Sequence, residues 1–208
     1  MISSFIRILT AFAGEIVFLG LAYVLEVITA FCKPQNNFLN ALLDNFEHAL
    51  LACLSWFVLV FVFMRRDLML FSLVAFILGS AMDIDHFLSA KSFKLDKALS
   101  LPSRPPFHNT PLTFLLAFVI YIAVYWTVND QKLSLMAALS LVNAWISHQL
   151  RDALRRGLWL YPVMPDTEPL SMPQYLSALF CLFFLEFVIL EVTFKYKLML
   201  MMNNLNHV

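Results

Sequence analysis

Three histidines come with aspartates at intervals that a helix would turn into neighbours. Asp44 and His48 are four apart, and His148 and Asp152 repeat that interval, which places each pair on one helix face. In Asp83-Ile84-Asp85-His86 the outer two share a face, and an unwound helix end would turn Asp85 inward as well. His108 follows a long polar stretch, and the fifth histidine, His207, lies in the C-terminal tail. Imidazole and carboxylate together suit zinc, manganese or iron. Read as a site, His48, Asp83, His86, His108, His148 and Asp152 are the metal ligands, for one or two divalent ions, zinc or manganese first. Asp85 and Asp44 are then spare carboxylates, either able to serve as general base toward a water molecule. These eight groups exceed the four ligands of one zinc ion, so a two-metal centre, or one metal with outer carboxylates, would use them. For any single pair the plainer alternative is a hydrogen-bonded packing contact.

The elements that must hold these residues are set by composition. Hydrophobic residues make up 61% of the 208 and charged residues 13%, against about a quarter charged in soluble domains. The mean hydropathy is +0.78, so lipid must supply much of the solvent. The expected fold is all-α, a polytopic transmembrane bundle of about six helices forming one membrane domain over residues 1–208. Fourteen basic and fourteen acidic residues leave no net charge, which argues against the basic face that nucleic-acid binding needs. Cys32, Cys53 and Cys181 are isolated in or beside apolar runs and read as small packing residues.

A spanning helix needs about 20 mainly apolar residues. The sequence offers Phe5–Phe31, Phe38–Met64, Leu68–Met82 running on to His86, Pro111–Val128, Leu133–Leu150 and Pro173–Phe194. All nine prolines fall between these runs or at their starts, where no helical hydrogen bond is lost. Arg7 precedes the first run, but Glu15 interrupts it and the apolar pattern continues past the length of a signal-peptide core; a retained helix is expected. Six helices put both termini on one side and His48, His86, His108 and His148 near the other. Eight Lys and Arg lie on the histidine side (Lys33, Lys91, Lys94, Lys97, Arg104, Arg151, Arg155 and Arg156). Six lie on the terminal side (Arg7, Arg65, Arg66, Lys132, Lys195 and Lys197). That balance is too even for the positive-inside rule to orient the chain.

Two further groups of charges have a chemical and a plain reading. Arg104 and Arg151, with Arg155 and Arg156, would bind an anionic substrate such as a phosphate ester, since guanidinium pairs bidentately with phosphate; the plain alternative is snorkelling to lipid headgroups. Glu15 and Glu26 are about three helical turns apart and are expected to face into the bundle.

The same residues carry a family resemblance. Asp83-Ile84-Asp85-His86, then Arg104-x-x-x-His108, then His148-x-x-x-Asp152 with Gly157 and Leu160-Tyr161-Pro162 resemble the LexA-regulated, membrane-bound metal-dependent hydrolase family of bacteria. More closely, the chain from Asn40 to Pro162 resembles the animal transmembrane protein 267 family. The matching features are Asp44-Asn45-x-x-His48, Asp83-x-Asp85-His86-Phe87, Leu101-Pro102-x-Arg104-Pro105, Ser147-His148-x-x-Arg151-Asp152 and Gly157-Leu158-Trp159. The resemblance covers about the middle three-fifths of the chain. The bacterial pattern has a His-Arg-Gly-x-Thr-His-Ser block; here Ser103 stands at its first histidine, and Pro105, Phe107 and Asn109 at its Gly, Thr and Ser. One ligand of that pattern is therefore absent.

The function these readings favour is metal-dependent hydrolysis of a membrane-associated ester, such as a lipid phosphate. The alternatives are a non-catalytic membrane protein whose metal site is structural or vestigial, and an ion or metal transporter. Transport is the weakest, because transporters place polar residues near the midplane of repeated halves, and this chain places them at one interface without a repeat.

Overall fold

The computed structural model describes residues 4–32 and 34–205. Lys33 and His207 lie outside the described residues, as does the side chain of Lys197. Eight α-helices follow one another: α1 (Ser4–Phe31), α2 (Asn37–Phe63), α3 (Met69–Ala81), α4 (Ile84–Ser89), α5 (Leu95–Leu99), α6 (Thr110–Val128), α7 (Gln131–Arg156) and α8 (Met172–Leu205). Single 3-10 turns, Arg66–Leu68 and Pro106–His108, lead into α3 and α6.

Local signals fix the ends. The Asn36 side chain accepts from the backbone N–H groups of Phe38 and Leu39, Asn109 from Leu112, and Asp130 from Lys132 and Leu133. Each thereby satisfies donors that a helix start leaves bare. At the end of α7, Gly157 has φ 71°, and a Cβ there would lie 1.9 Å from the Thr167 carbonyl oxygen. Only glycine fits that turn.

Among the described residues, five stretches are long and apolar enough to cross a membrane: Phe5–Phe31, Asn37–Phe63, Arg66–Ser89, Thr110–Val128 and Met172–Lys195. The third joins α3 to α4, with the helix loosened at Met82 and Asp83. The fifth expected span, Leu133–Leu150, is different in kind. It is the middle of α7, whose 26 residues reach about 39 Å, enough for a hydrocarbon core of about 30 Å. Its polar residues Ser134, Ser140, Asn143, Ser147, His148, Gln149 and Arg151 are all buried. Helices α2, α3, α6 and α8 pack around it. Polar side chains at membrane depth must face protein, so α7 is the axis of the bundle and the apolar helices form its wall.

Close packing holds the wall to the axis, since lipid tails give apolar helices no hydrophobic reason to associate. Small residues make the approaches: Ala11, Ala22, Ala52 and Ala75 are fully buried. A Cβ on Gly79 would meet the His48 carbonyl oxygen at 3.1 Å and Ala49 Cα at 3.2 Å. Helices α2 and α3 therefore cross nearly backbone to backbone beside His48.

Candidate metal centre

Four elements converge at one end of the bundle. Helix α2 supplies Asp44 and His48, the α3–α4 junction Asp83, Asp85 and His86, the turn before α6 His108, and the last turns of α7 His148 and Asp152. The loosened junction matters here. Asp85 and His86 donate their backbone N–H groups to Met82 and Asp83, three residues back, and this tight turn brings Asp85 in with its neighbours. Asp85, buried to 1% exposure, faces His108.

Asp83 is the focus. Its Oδ2 accepts from Asn45 Nδ2 at 3.1 Å, and this hold aims Oδ1 at three imidazoles. The Nε2 atoms of His148, His108 and His86 lie 3.4, 3.5 and 3.8 Å from it. Two of these rings are locked from behind. His148 Nδ1 is 3.0 Å from the Gly79 carbonyl oxygen and His86 Nδ1 is 3.2 Å from that of Ala98. A carbonyl can only accept, so each Nδ1 carries a proton, and in the neutral ring each Nε2 presents a lone pair. The third ring, His108, has Nδ1 3.5 Å from Asp85 Oδ2, and that oxygen is itself fixed by the Phe107 backbone N–H at 2.7 Å. Asp152 Oδ2 closes the group at 3.5 Å from His108 Nε2.

The distances select a chemistry. A charge-assisted hydrogen bond between these groups would be about 2.7–2.9 Å. Ligands at about 2.0–2.1 Å around one tetrahedral ion stand about 3.3–3.4 Å apart. The distances from Asp83 Oδ1 to His108 Nε2 and His148 Nε2 match the second spacing, and both nitrogens are buried without a hydrogen-bond partner. These three donor atoms lie within 4.8 Å of one another. The field at this point favours positive charge. Burial works against the His108 imidazolium, but Asp152, Asp83 and Asp85 outweigh it and push its pKa up to about 11.

Other expected site residues have different surroundings. Arg151, read from sequence as a substrate ligand, is 4% exposed. Its guanidinium donates to Glu26 and Asp44 at 2.6 Å each, and to Glu47. It is the cation at the centre of a carboxylate cage and has no nitrogen left for a substrate. Asp44 is spent in the same cage, with Arg155 adding a bond at 3.2 Å, so it is not a spare base. His48 is drawn toward it too. Its Nε2 is 3.2 Å from Arg151 Nη1 and 3.6 Å from Asp152 Oδ1, while its ring stacks on His148 with centroids 3.5 Å apart. A guanidinium at that nitrogen makes His48 a poor ligand and a good wall for His148. Arg104 donates to the carbonyl oxygens of Gly157 and Arg156, holding the last turn of α7 where carbonyls lack helical partners. Asp85 Oδ2, expected as a free base, accepts from the Phe107 N–H and faces His108 Nδ1.

Sequence reasoning passed over Glu47 and Gln149, and named Asn45 in a motif without giving it a role. Asn45 also accepts from Ser80 Oγ at 2.5 Å and donates to the Ser80 carbonyl, so it pins α2 to the α3 end as well as orienting Asp83. Glu47 lies between Asp44 and His48, and its place beside them on a buried helix end was the signal available. Glu26 meets Arg151 as an inward-facing residue, while Glu15 is fully buried nearer the other end of α1.

The chain is 32% identical over 144 residues to transmembrane protein 267 of Mus musculus, covering 69% of this chain and 66% of that protein. It is 34% identical over 142 residues to the Bos taurus protein of the same name, covering 68% and 64%. The Danio rerio protein is 33% identical over 162 residues, covering 71% of each chain. The chain belongs to the transmembrane protein 267 family. It spans just under two thirds of the mouse and cattle proteins. No family model matches it and no solved structure matches it. Together with the apolar helices, membership of transmembrane protein 267 makes this a multi-pass integral membrane protein. The bacterial hydrolase resemblance draws no support from these relatives and stands on its motifs alone.

Proposed function

We propose that this transmembrane protein 267 homologue is a metal-dependent hydrolase acting on a membrane-associated ester, with a phosphate ester as the preferred class. The supporting observation is the set of buried, unbonded donor atoms around Asp83 Oδ1, spaced as ligands of one ion rather than as hydrogen-bond partners. Asp83, His108 and His148 would hold a zinc or manganese ion, with His86 and Asp152 flanking it. Two imidazoles and a carboxylate leave a position open, the arrangement of catalytic rather than closed structural sites. A bound divalent ion supplies charge stabilisation and a more acidic water. In the hydrolysis a water oxygen adds to phosphorus, the ester P–O bond breaks, and the departing alcohol takes up the proton.

The residues of the chain would do the rest. Asp85 keeps His108 turned, Gly79 and Ala98 fix the tautomers of His148 and His86, and Asn45 keeps Asp83 aimed. Outer contacts of this kind are what orient metal ligands. The scaffold reading has its own support in Asp44 and Asp85, both tied into other contacts and so not available as a general base.

The test is metal analysis of protein purified in detergent without chelator, followed by a screen of phosphate esters. About one zinc or manganese per chain is expected, lost in His148→Ala and kept in Glu15→Ala. Equal metal in both variants, or none in the parent, would remove the site. Metal retained with no ester turned over would leave the scaffold reading.

A further inference from the structure

A groove of about 330 Å³ opens beside the His/Asp cluster, between the first turns of α2 and the α4–α5 segment. Its lining combines two chemistries. Asp44, Asp83, His86 and Asp152, with Arg155 and Arg156 from the end of α7, are ionisable. Phe38, Leu42, Phe87, Leu95 and Leu99 are apolar. Ligand sites are typically about 300–1,000 Å³, so this one has room for a headgroup and the first part of a chain.

The apolar part leads outward. Phe38, Leu42 and Leu99 are 62%, 54% and 53% exposed, which in a membrane-spanning bundle means exposed to lipid at the level of the helix ends. The surface around α5 suits the interface as well. Phe93 is 98% exposed, and Lys91, Lys94 and Lys97 are exposed on either side of it. An aromatic flanked by lysines sits at headgroup depth, and a polybasic surface draws anionic lipid. Arg156 is exposed and takes no carboxylate partner among the described residues, whereas Arg155 is tied to Asp152 and Asp44. The groove thus brings together a cation able to meet a phosphate, the candidate metal ligands, and an apolar path to the bilayer.

We infer that the groove between α2 and α4–α5 binds an anionic lipid phosphomonoester, its phosphate held by Arg156 and its acyl chain along Phe38, Leu42 and Leu99. This rests on the proposed metal site for turnover but not for binding. The lipid enters from the side, and its reacting group reaches the cluster without leaving the interface. A soluble phosphate ester has the same headgroup chemistry and lacks the chain that fills the apolar wall.

The experiment uses the full chain in phosphatidylcholine nanodiscs doped with fluorescent phosphatidate, with metal content measured on the same samples. The parent should enrich phosphatidate over fluorescent phosphatidylcholine, and soluble glycerol phosphate should not displace it. Arg156→Gln and Leu42→Asn should each lower that enrichment about tenfold, one charge contact or one apolar wall being worth about that factor, with metal content unchanged. Enrichment that is absent in the parent, displaced by glycerol phosphate, or unaltered in both variants would overturn the inference while metal remains bound. Loss of metal from the parent with phosphatidate still enriched would instead remove the hydrolase reading and keep the lipid site.

Discussion

The Gly79 carbonyl accepts the Nδ1–H of His148 at 3.0 Å, across the point where α3 passes α7. One residue thus serves two contacts. Its missing side chain lets α3 lie against α2, and its carbonyl sets which nitrogen of His148 faces Asp83. Helix packing and ligand geometry are coupled at this position, so a change in one should be read in the other.

Gly79→Val tests that coupling. The new side chain would press on the His48 carbonyl and Ala49 Cα, which are backbone and cannot give way. Overpacking of this kind costs about 1–3 kcal/mol, and separating α3 from its neighbours should also free the His148 ring. A lower melting temperature and a lower metal content are expected together. Gly20→Ala is the control, because nothing lies within 4 Å of a Cβ there; both measurements should stay near parental values. Destabilisation of Gly79→Val with full metal would break the proposed link.

Asp85 separates two roles by affinity. A free general base could be lost with metal binding intact and turnover down about 10²–10⁴-fold. The structure instead has Asp85 fixed by the Phe107 N–H and facing His108 Nδ1. Removing such an outer partner lowers metal affinity about 10–100-fold. Asp85→Asn should therefore weaken metal binding by about that factor in a competition titration. Parental affinity in the variant would return Asp85 to the base role.

These two cases mark where the sequence was readable. Spacing placed His148 with Asp152 and Asp83 with His86, and alternating spans sent all four histidines to one end, because helical period and membrane topology are properties of the chain itself. What Asp44, Asp85 and Arg151 do there depends on which neighbour reaches them first, and that is set by side-chain contacts more than 20 residues away in sequence. Arg151 illustrates this: its partners Glu26 and Asp44 lie 125 and 107 residues earlier. The role of α7 was hidden for a related reason. Leu133–Leu150 read as one span among six, and only its neighbours show why it can be polar: a helix surrounded by other helices has protein on every face.

Arg151 should behave as a structural cation. Removing one partner from a buried ion cluster costs about 3–5 kcal/mol, since the others are left uncompensated. Arg151→Met leaves Glu26, Asp44 and Glu47 without their shared guanidinium, and a large fall in melting temperature is expected. Arg151→Lys should recover little, because one ammonium cannot reproduce a planar fork reaching three carboxylates. If both variants melt like the parent and only an ester's KM rises, the residue is a substrate ligand after all.

Gln149 carries the last expectation. Both hydrogens of its Nε2 are committed, one to the Phe107 carbonyl at 2.9 Å and one to Thr113 Oγ1 at 3.0 Å. Its Oε1 is therefore fixed as an acceptor, and it is buried without a partner. A cavity of about 10 Å³ lies against Gln149, lined also by Arg104, His108 and Asp152. That is about the space of one water molecule. The cavity shares His108 and Asp152 with the candidate metal position, and a water bound to Gln149 Oε1 there is expected to take part in the hydrolysis. Gln149→Met keeps the bulk and removes the acceptor. Metal content should hold while hydrolysis falls about 10²-fold, the usual penalty for a misplaced reactant. Thr113→Val removes a hydrogen-bond partner of Gln149 but leaves Oε1 in place, and it should retain most of the activity. Equal losses in the two variants would mean that Gln149 matters only for packing against α6.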